Sequence, residues 1–430
     1  MARGHLIKDF KRLATTKLRR DALGILEAGL FAIDPSVVVK NACRLKGSHL
    51  IIQNVTWDLK EFEHIYVVGI GKAAYRAALG LEKVLGSHIT DGIVLDVVSG
   101  PLKHMRSLAG THPLPSVTNM NATAEILALV KQADSHDLVI ALVSGGGSAL
   151  LCWPYELKCG ELARITQMLM QKGATIQEMN IARKHLSEVQ GGQLARLAHP
   201  ATVIGLIFSD VPGDDLGTVA SGPTVRDDST VQQANDILAK YDVLRACMLP
   251  GCDLRETPKD PVFFEHVQNF LVMSNAASVE AMKREAMKKK YKIRILSRNL
   301  TGEAREVGAR LAKEAGPGEC VIAAGETTVT VHGNGIGGRN QESALAALEM
   351  VPEDGLVLSC GSDGIDHSPA AGAIADVVTK RRVKAKRLNI EKTLADNNSY
   401  PFFKAVGQAI LTGPTGTNVS DLMLSIRSNK

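Results

Sequence analysis

Four short glycine-rich segments carry charged side chains to places where a backbone can close on an anion. They read Val68-Gly69-Ile70-Gly71-Lys72, Ser144-Gly145-Gly146-Gly147-Ser148, Ser209-Asp210-Val211-Pro212-Gly213-Asp214-Asp215 and Gly335-Ile336-Gly337-Gly338-Arg339-Asn340-Gln341-Glu342. Glycine lets main-chain amides approach a ligand closely, and the start of a following helix adds a field that favours negative charge. One such turn is common. Four of them, bringing one lysine, one arginine and several aspartates, point to a site that holds phosphates and moves one.

Each segment also has a plainer reading. Gly69-Ile70-Gly71-Lys72-Ala73-Ala74 fits the dinucleotide pattern G-x-G-x-x-G/A, and Asp96 stands in the next apolar run, where a ribose-binding acid would be. It is not a Walker A loop, because Tyr66 occupies the first glycine position and Ala73 the Ser/Thr position. The alternative is a tight strand–helix turn. The triple glycine suits a nest of amides for a phosphate or carboxylate, whereas a serine nucleophile elbow would need G-x-S-x-G. Asp210 could accept a substrate hydroxyl proton or hold magnesium, and Asp210, Asp214 and Asp215 could equally cap the turn that follows. Arg339 could bridge a transferring phosphoryl group or clamp a carboxylate, with a salt bridge to Glu342 as the structural alternative. Asp363 and Asp366, either side of Gly364, are oxygen donors for a divalent ion or turn residues. His112, before Pro113, and His367, before Ser368, could be ligands or general acids, though for isolated histidines the plainer structural reading is preferred.

Those segments need a scaffold, and 430 residues with 45% apolar and 22% charged side chains describe a globular chain of two domains. Aromatics at 4% argue against bases stacked on aromatic platforms. The net charge of +5 is small, and the basic run Lys380–Arg387 reads as a solvated helix face, so no nucleic acid is expected. Seven cysteines without a Cys-x-x-Cys pair argue for free thiols in a reducing compartment. No His-Glu-x-x-His pattern marks a zinc site. Met1–Arg20 is basic without an apolar core, and no run approaches the ~20 apolar residues of a membrane span, so a cytoplasmic protein is expected.

The first ~60 residues read as largely helical. From His64 onward apolar strands alternate with helices: strands at 64–68, 92–98, 137–143 and 202–208, with helices at 73–84, 121–133 and 160–172. That alternation predicts an α/β fold with an N-terminal doubly wound, Rossmann-like parallel sheet, in which three of the four segments lie at strand carboxyl ends. The Pro- and Gly-rich stretch 249–261 suggests a boundary, giving domains 1–255 and 256–430, the tail from about 396 packing back on the first. The second, smaller α/β region is predicted to contain strands at 269–274, 292–297, 320–326, 327–332 and 356–360.

Taken together, the four segments, with Ala220-Ser221-Gly222-Pro223-Thr224, Ser362-Asp363-Gly364-Ile365-Asp366, Gly372-Ala373 and Gly413-Pro414-Thr415-Gly416-Thr417-Asn418-Val419, resemble the glycerate kinase family with a C-terminal MOFRL domain. The likeness runs through nearly the whole chain in the expected order. It implies transfer of a phosphoryl group from ATP, with Mg2+ or another divalent cation, to D-glycerate, usually at the 2-hydroxyl. Lys72 and Arg339 match the family's proposed catalytic pair. Beside them, Asp210 would orient or deprotonate the attacking hydroxyl. Gly69, Gly71, Ser144, Gly145, Gly146, Gly147, Ser148, Gly337, Gly338, Asn340, Glu342, Thr417 and Asn418 would contact nucleotide, phosphate or substrate, and Asp210 and Asp363 the metal. Closure of the two domains over substrate would assemble the site. A homodimer stays open. Some members are labelled hydroxypyruvate reductase, so an NAD(P)H-dependent reductase remains the alternative, and a ligand-binding regulator without catalysis a further one.

Overall fold

The computed structural model describes residues 4–211, 213–249 and 252–429. It divides into two compact units: one from Pro35 to Met273, the other the chain up to Asp34 together with everything from Ser274 on. The division therefore falls after Asp34 and after Met273 rather than at 255/256, and the residues beyond 396 stay within the second unit. Pro212, Pro250 and Gly251 lie outside the described residues.

The first unit opens with a three-stranded antiparallel meander, β1 (Cys43–Lys46), β2 (His49–Ile52) and β3 (Val55–Asp58), where helix was expected. Two-residue turns link these short strands, and Gly47 and Gln53 take positive φ there, the geometry tight hairpins require. Behind it stands a parallel sheet of β4 (Ile65–Ile70), β5 (Asp91–Asp96), β6 (Arg106–Ala109), β7 (Leu138–Ser144), β8 (Thr202–Phe208) and β9 (Val267–Met273). Its order is β6-β5-β4-β7-β8-β9, every pairing parallel. β4 and β7 are buried along their whole length, as strands covered on both faces must be, which is why they read as unbroken apolar runs. β9, expected in the second domain, completes this sheet by pairing with β8. The winding reverses between neighbouring strands β4 and β7, so the loops after them bound the crevice in which doubly wound sheets bind ligands.

The second unit holds a mixed sheet of β10 (Lys292–Leu300), β11 (Glu319–Gly325), β12 (Gly355–Gly361), β13 (Gly372–Asp376), β14 (Ala409–Ile410) and β15 (Asp421–Arg427), ordered β10-β11-β15-β12-β13-β14. The last strand threads into the middle, antiparallel to both β11 and β12. Alternate residues face opposite layers. Ile322, Leu358 and Leu424 pack with Leu23 and Leu26 of the Lys17–Ala32 helix and Met282 of the Asn275–Lys288 helix. Ala323, Val357 and Met423 pack with Leu311 and Leu345 of the helices on the other face. Arg19 fastens the N-terminal helix to this unit from full burial, its Nε and Nη2 each donating to Asp376 at 2.6 Å. The stretch 327–332 is not a strand; it makes one bridge, Thr328 to Glu303, and otherwise runs irregularly. All seven cysteines are free thiols.

Candidate active site

Because β4, β7 and β8 are parallel neighbours, their carboxyl ends deliver Lys72, the triple glycine and Asp210 to one edge of the first unit. The Lys72 amide donates to the Gly145 carbonyl at 2.9 Å, and the Ala73 amide to Ser144 Oγ at 3.1 Å. Ser144 in turn donates to the Ile70 carbonyl at 3.2 Å, so the two loops are stitched together. A side chain at Gly145 would collide with the Asp210 carboxylate. Gly146 takes φ +78°, and a Cβ there would lie 2.9 Å from Lys72 Cγ and 3.2 Å from His112 Cδ2. The glycines are thus required by the side chains that crowd onto them, and Lys72, Asp210 and His112, from three different loops, converge on this one. Asp215 caps its own turn, accepting from the Gly217 amide at 3.1 Å and the Thr218 hydroxyl at 2.6 Å.

Two further groups join this edge that the motifs did not disclose. Ser148 and Ser221 hydroxyls meet at 2.9 Å, and Ser221 donates to Asn180 Oδ1 at 2.9 Å. This chain of bonds ties the Ile176–His185 helix to the nest, and Arg183 stands one turn beyond Asn180. No carboxylate pairs with Arg183 among the described residues, and burial holds its guanidinium below the ordinary value. His112 is pushed down to about 4, chiefly by burial and then by the charges of Lys72 and Arg183, so at neutral pH it is an uncharged imidazole. Lys72 and Arg183 thus set positive charge around His112 at an edge that also carries the Asp210 carboxylate, an arrangement suited to an anionic substrate whose hydroxyl must lose a proton.

Asp96 does not serve as a ribose ligand. It is 1% exposed, and its carboxylate accepts the Tyr75 amide at 3.0 Å and the Val97 amide at 2.6 Å. Burial raises its carboxyl above the usual range against these bonds. The acid that made the G-x-G-x-x-G/A reading serious is an internal brace of the Ala74–Leu85 helix.

In the second unit the antiparallel insertion of β15 brings Asp421 to the carboxyl ends of β11 and β12, opposite Gly325 and Gly361. There it meets Arg339, the first residue of the Arg339–Met350 helix. Arg339 Nε donates to Asp421 Oδ2 at 2.7 Å and Nη2 to Oδ1 at 3.1 Å, while Nη1 lies 2.7 Å from Glu326 Oε1. Burial pushes the Asp421 carboxyl up to about 6, even though Arg339 and the Asn340 amide at 2.8 Å hold it down. Asp366 caps the helix, accepting the amides of Asn340 at 3.1 Å and Gln341 at 2.8 Å. Of the two acids flanking Gly364 it therefore has a structural task. Asp363 sits under the 412–420 loop, its carbonyl accepting the Thr415 amide at 3.0 Å.

The remaining expected contacts fall into two groups. Gly337 and Gly338 line an open cavity beside Arg339. Asn340 and Glu342 are buried: Asn340 bonds Asp421 and Ser359, and Glu342 is paired with Arg305 at 2.6 Å and Asn397 at 3.0 Å rather than with Arg339. Thr417 is buried, and Asn418 Oδ1 accepts from Ser362 Oγ at 3.4 Å, beside Asp363. Asp421 and Glu326, the partners that aim Arg339, stand outside every glycine motif. The only sequence signal for Asp421 is its position just after the Gly413–Val419 segment.

Residues 21–248 match a domain of unknown function, DUF4147, and residues 319–421 match the MOFRL family. The chain is 35% identical to a glycerate 2-kinase of Pyrococcus horikoshii, the match covering 96% of this chain and 98% of that one. It is also 35% identical to a D-glycerate 2-kinase of Thermotoga maritima, with 95% and 98% covered. A solved glycerate kinase structure from Thermotoga maritima superposes with a TM-score of 0.83 at 34% identity, covering 95% of this chain and 99% of that one.

Proposed function

The chain belongs to the glycerate kinase family, and we propose on that footing that it transfers the γ-phosphoryl group of ATP to the 2-hydroxyl of D-glycerate, giving 2-phospho-D-glycerate and ADP. The observation that carries this reading is the meeting of Lys72 and Asp210 over one triglycine loop at the switch point of the parallel sheet. A phosphoryl acceptor needs both: a carboxylate to take the hydroxyl proton, and a cation to offset charge on the group being transferred.

The geometry supports the following steps. The glycerate carboxylate lies against the amides of 144–148 with Arg183 as counter-charge. Asp210 orients the 2-hydroxyl and takes its proton as the oxygen attacks the γ-phosphorus; the bond to the bridging oxygen breaks and ADP leaves. Lys72 neutralises charge on the phosphoryl oxygens, where preorganised cations act most strongly, and Arg339, aimed by Asp421, is the second unit's cation for phosphate. His112, uncharged at neutral pH, adds no competing positive charge. No group of three or more His, Cys, Asp or Glu side chains converges among the described residues. That fits a cation carried on nucleotide phosphates, which needs only one or two protein carboxylates. Magnesium held this way would supply further neutralisation of the phosphates, and in the first unit Asp210 is the residue that would hold it. We place the protein in the cytoplasm, its partners being small molecules.

The test is release of ADP from ATP on addition of D-glycerate, followed with a coupled assay. D-glycerate-dependent release supports the kinase. Oxidation of NADH by hydroxypyruvate, with no ADP released, would replace it with the reductase.

A further inference from the structure

We propose that the cavity beside Arg339 in the second unit receives the adenosine moiety of ATP, a subsite that rests on the kinase reading above. The cavity measures about 550 Å³ and is lined by parts of 327–331 and 335–339 with His367 and Asn397. That size suits a nucleoside. D-glycerate, a small acid, would leave most of it empty.

The walls are aliphatic. Val331 is 71% exposed and Ile336 53%, with Val329 beside them. Branched aliphatic side chains left open around a concavity suit the faces of a planar heterocycle. Among the polar lining groups Thr327 stands out: it is 2% exposed, yet its hydroxyl has no hydrogen-bond partner. A buried hydroxyl left unbonded is destabilising. It is the lining group set to meet the polar edge of a base or a ribose hydroxyl.

The pocket is held open by bonds away from its mouth. Thr330 is tied to Glu303 through both amide and hydroxyl, at 3.0 and 3.1 Å. Asn397 Oδ1 takes the amides of His332 and Gly333 at 2.7 and 3.1 Å, and Asn398 takes that of Ile336 at 3.0 Å. This anchoring explains why 327–332 fails to form the strand its Thr/Val alternation suggests: the segment is fixed as one wall of the pocket. At the rim stands Arg339, a bidentate partner for the phosphates that continue from a nucleoside bound there.

The experiment is calorimetric titration of the full-length chain with ADP, alongside steady-state kinetics in ATP and D-glycerate, for wild type, Thr327→Val and Ile336→Asp. Both substitutions are expected to raise the ADP Kd and the KM for ATP about tenfold or more, with the KM for D-glycerate unmoved. Ile336 is exposed, so the second variant answers even if the first fails to fold. Unchanged ADP affinity in a folded variant set, with wild type turning ATP over, would overturn the subsite and leave the kinase standing. A wild-type chain that neither binds ADP nor consumes ATP would remove the kinase reading, and the subsite with it.

Discussion

Two arginine–aspartate pairs in the second unit share one geometry and do different work. Arg19 and Arg339 both present Nε and Nη2 to a buried carboxylate, at 2.6 and 2.6 Å on Asp376 and at 2.7 and 3.1 Å on Asp421. Arg19 is closed on every side: its side chain is 0% exposed, and its other bonds go to the Thr379 hydroxyl and the Leu13 carbonyl. The Arg339 side chain is 30% exposed, reaches the half-exposed Glu326, and borders a cavity. A fork of this kind is a fastening when fully enclosed. With one side open it becomes a cation held in aim, and the burial of Asp421 beneath it supplies the rigidity.

The comparison breaks most visibly in stability. Arg19→Met should lower unfolding free energy by about 3–5 kcal/mol in denaturant titrations, since it strands a buried Asp376, while the folded fraction keeps its turnover. Lys72→Ala in the other unit should do the reverse, cutting kcat by about 10²–10³-fold with little change in melting temperature, because a preorganised charge at a phosphoryl group acts on the transition state. Arg339→Ala should cut kcat as far and also lower stability, since it strands the buried Asp421. Asp421→Asn sharpens the contrast. As pH falls through about 6, Asp421 takes a proton and its hold on Arg339 weakens; above that pH it is ionised and the pair is intact. The wild-type kcat should therefore fall about tenfold per pH unit below 6, a limb that Asp421→Asn removes. The smallest effect belongs to His112. Because it is pushed down to about 4, His112→Gln should leave the shape of the pH profile above 5 unchanged.

Much of the first unit was legible in the chain because buried parallel strands leave unbroken apolar runs, and the glycine segments stand directly after them. The meander at 43–58 does not stand out in the chain because its strands are only four residues long and one of its turns, Gln53-Asn54, lacks the usual glycine. β9 was placed with the wrong unit because a strand at the edge of a parallel sheet carries no mark of which sheet it joins. The arginine site was half legible. Arg339 announces itself after two glycines, but Asp421 and Glu326 reach it only through the antiparallel insertion of β15, which no local pattern encodes. Arg183 was invisible for a similar reason: Arg183-Lys184-His185 reads as a basic last turn, and only the Asn180–Ser221–Ser148 chain turns that helix toward the nest. Asp96 shows the converse, a motif position filled by the expected residue type for a structural reason.

The most direct measurement is a phosphorus NMR spectrum of the full-length protein incubated with D-glycerate, ATP and magnesium, run beside the Lys72→Ala variant. A new phosphomonoester resonance coincident with authentic 2-phospho-D-glycerate, present in wild type and nearly absent in the variant, is the predicted result. Intact ATP in the wild-type sample, or product formed equally well without Lys72, would contradict it.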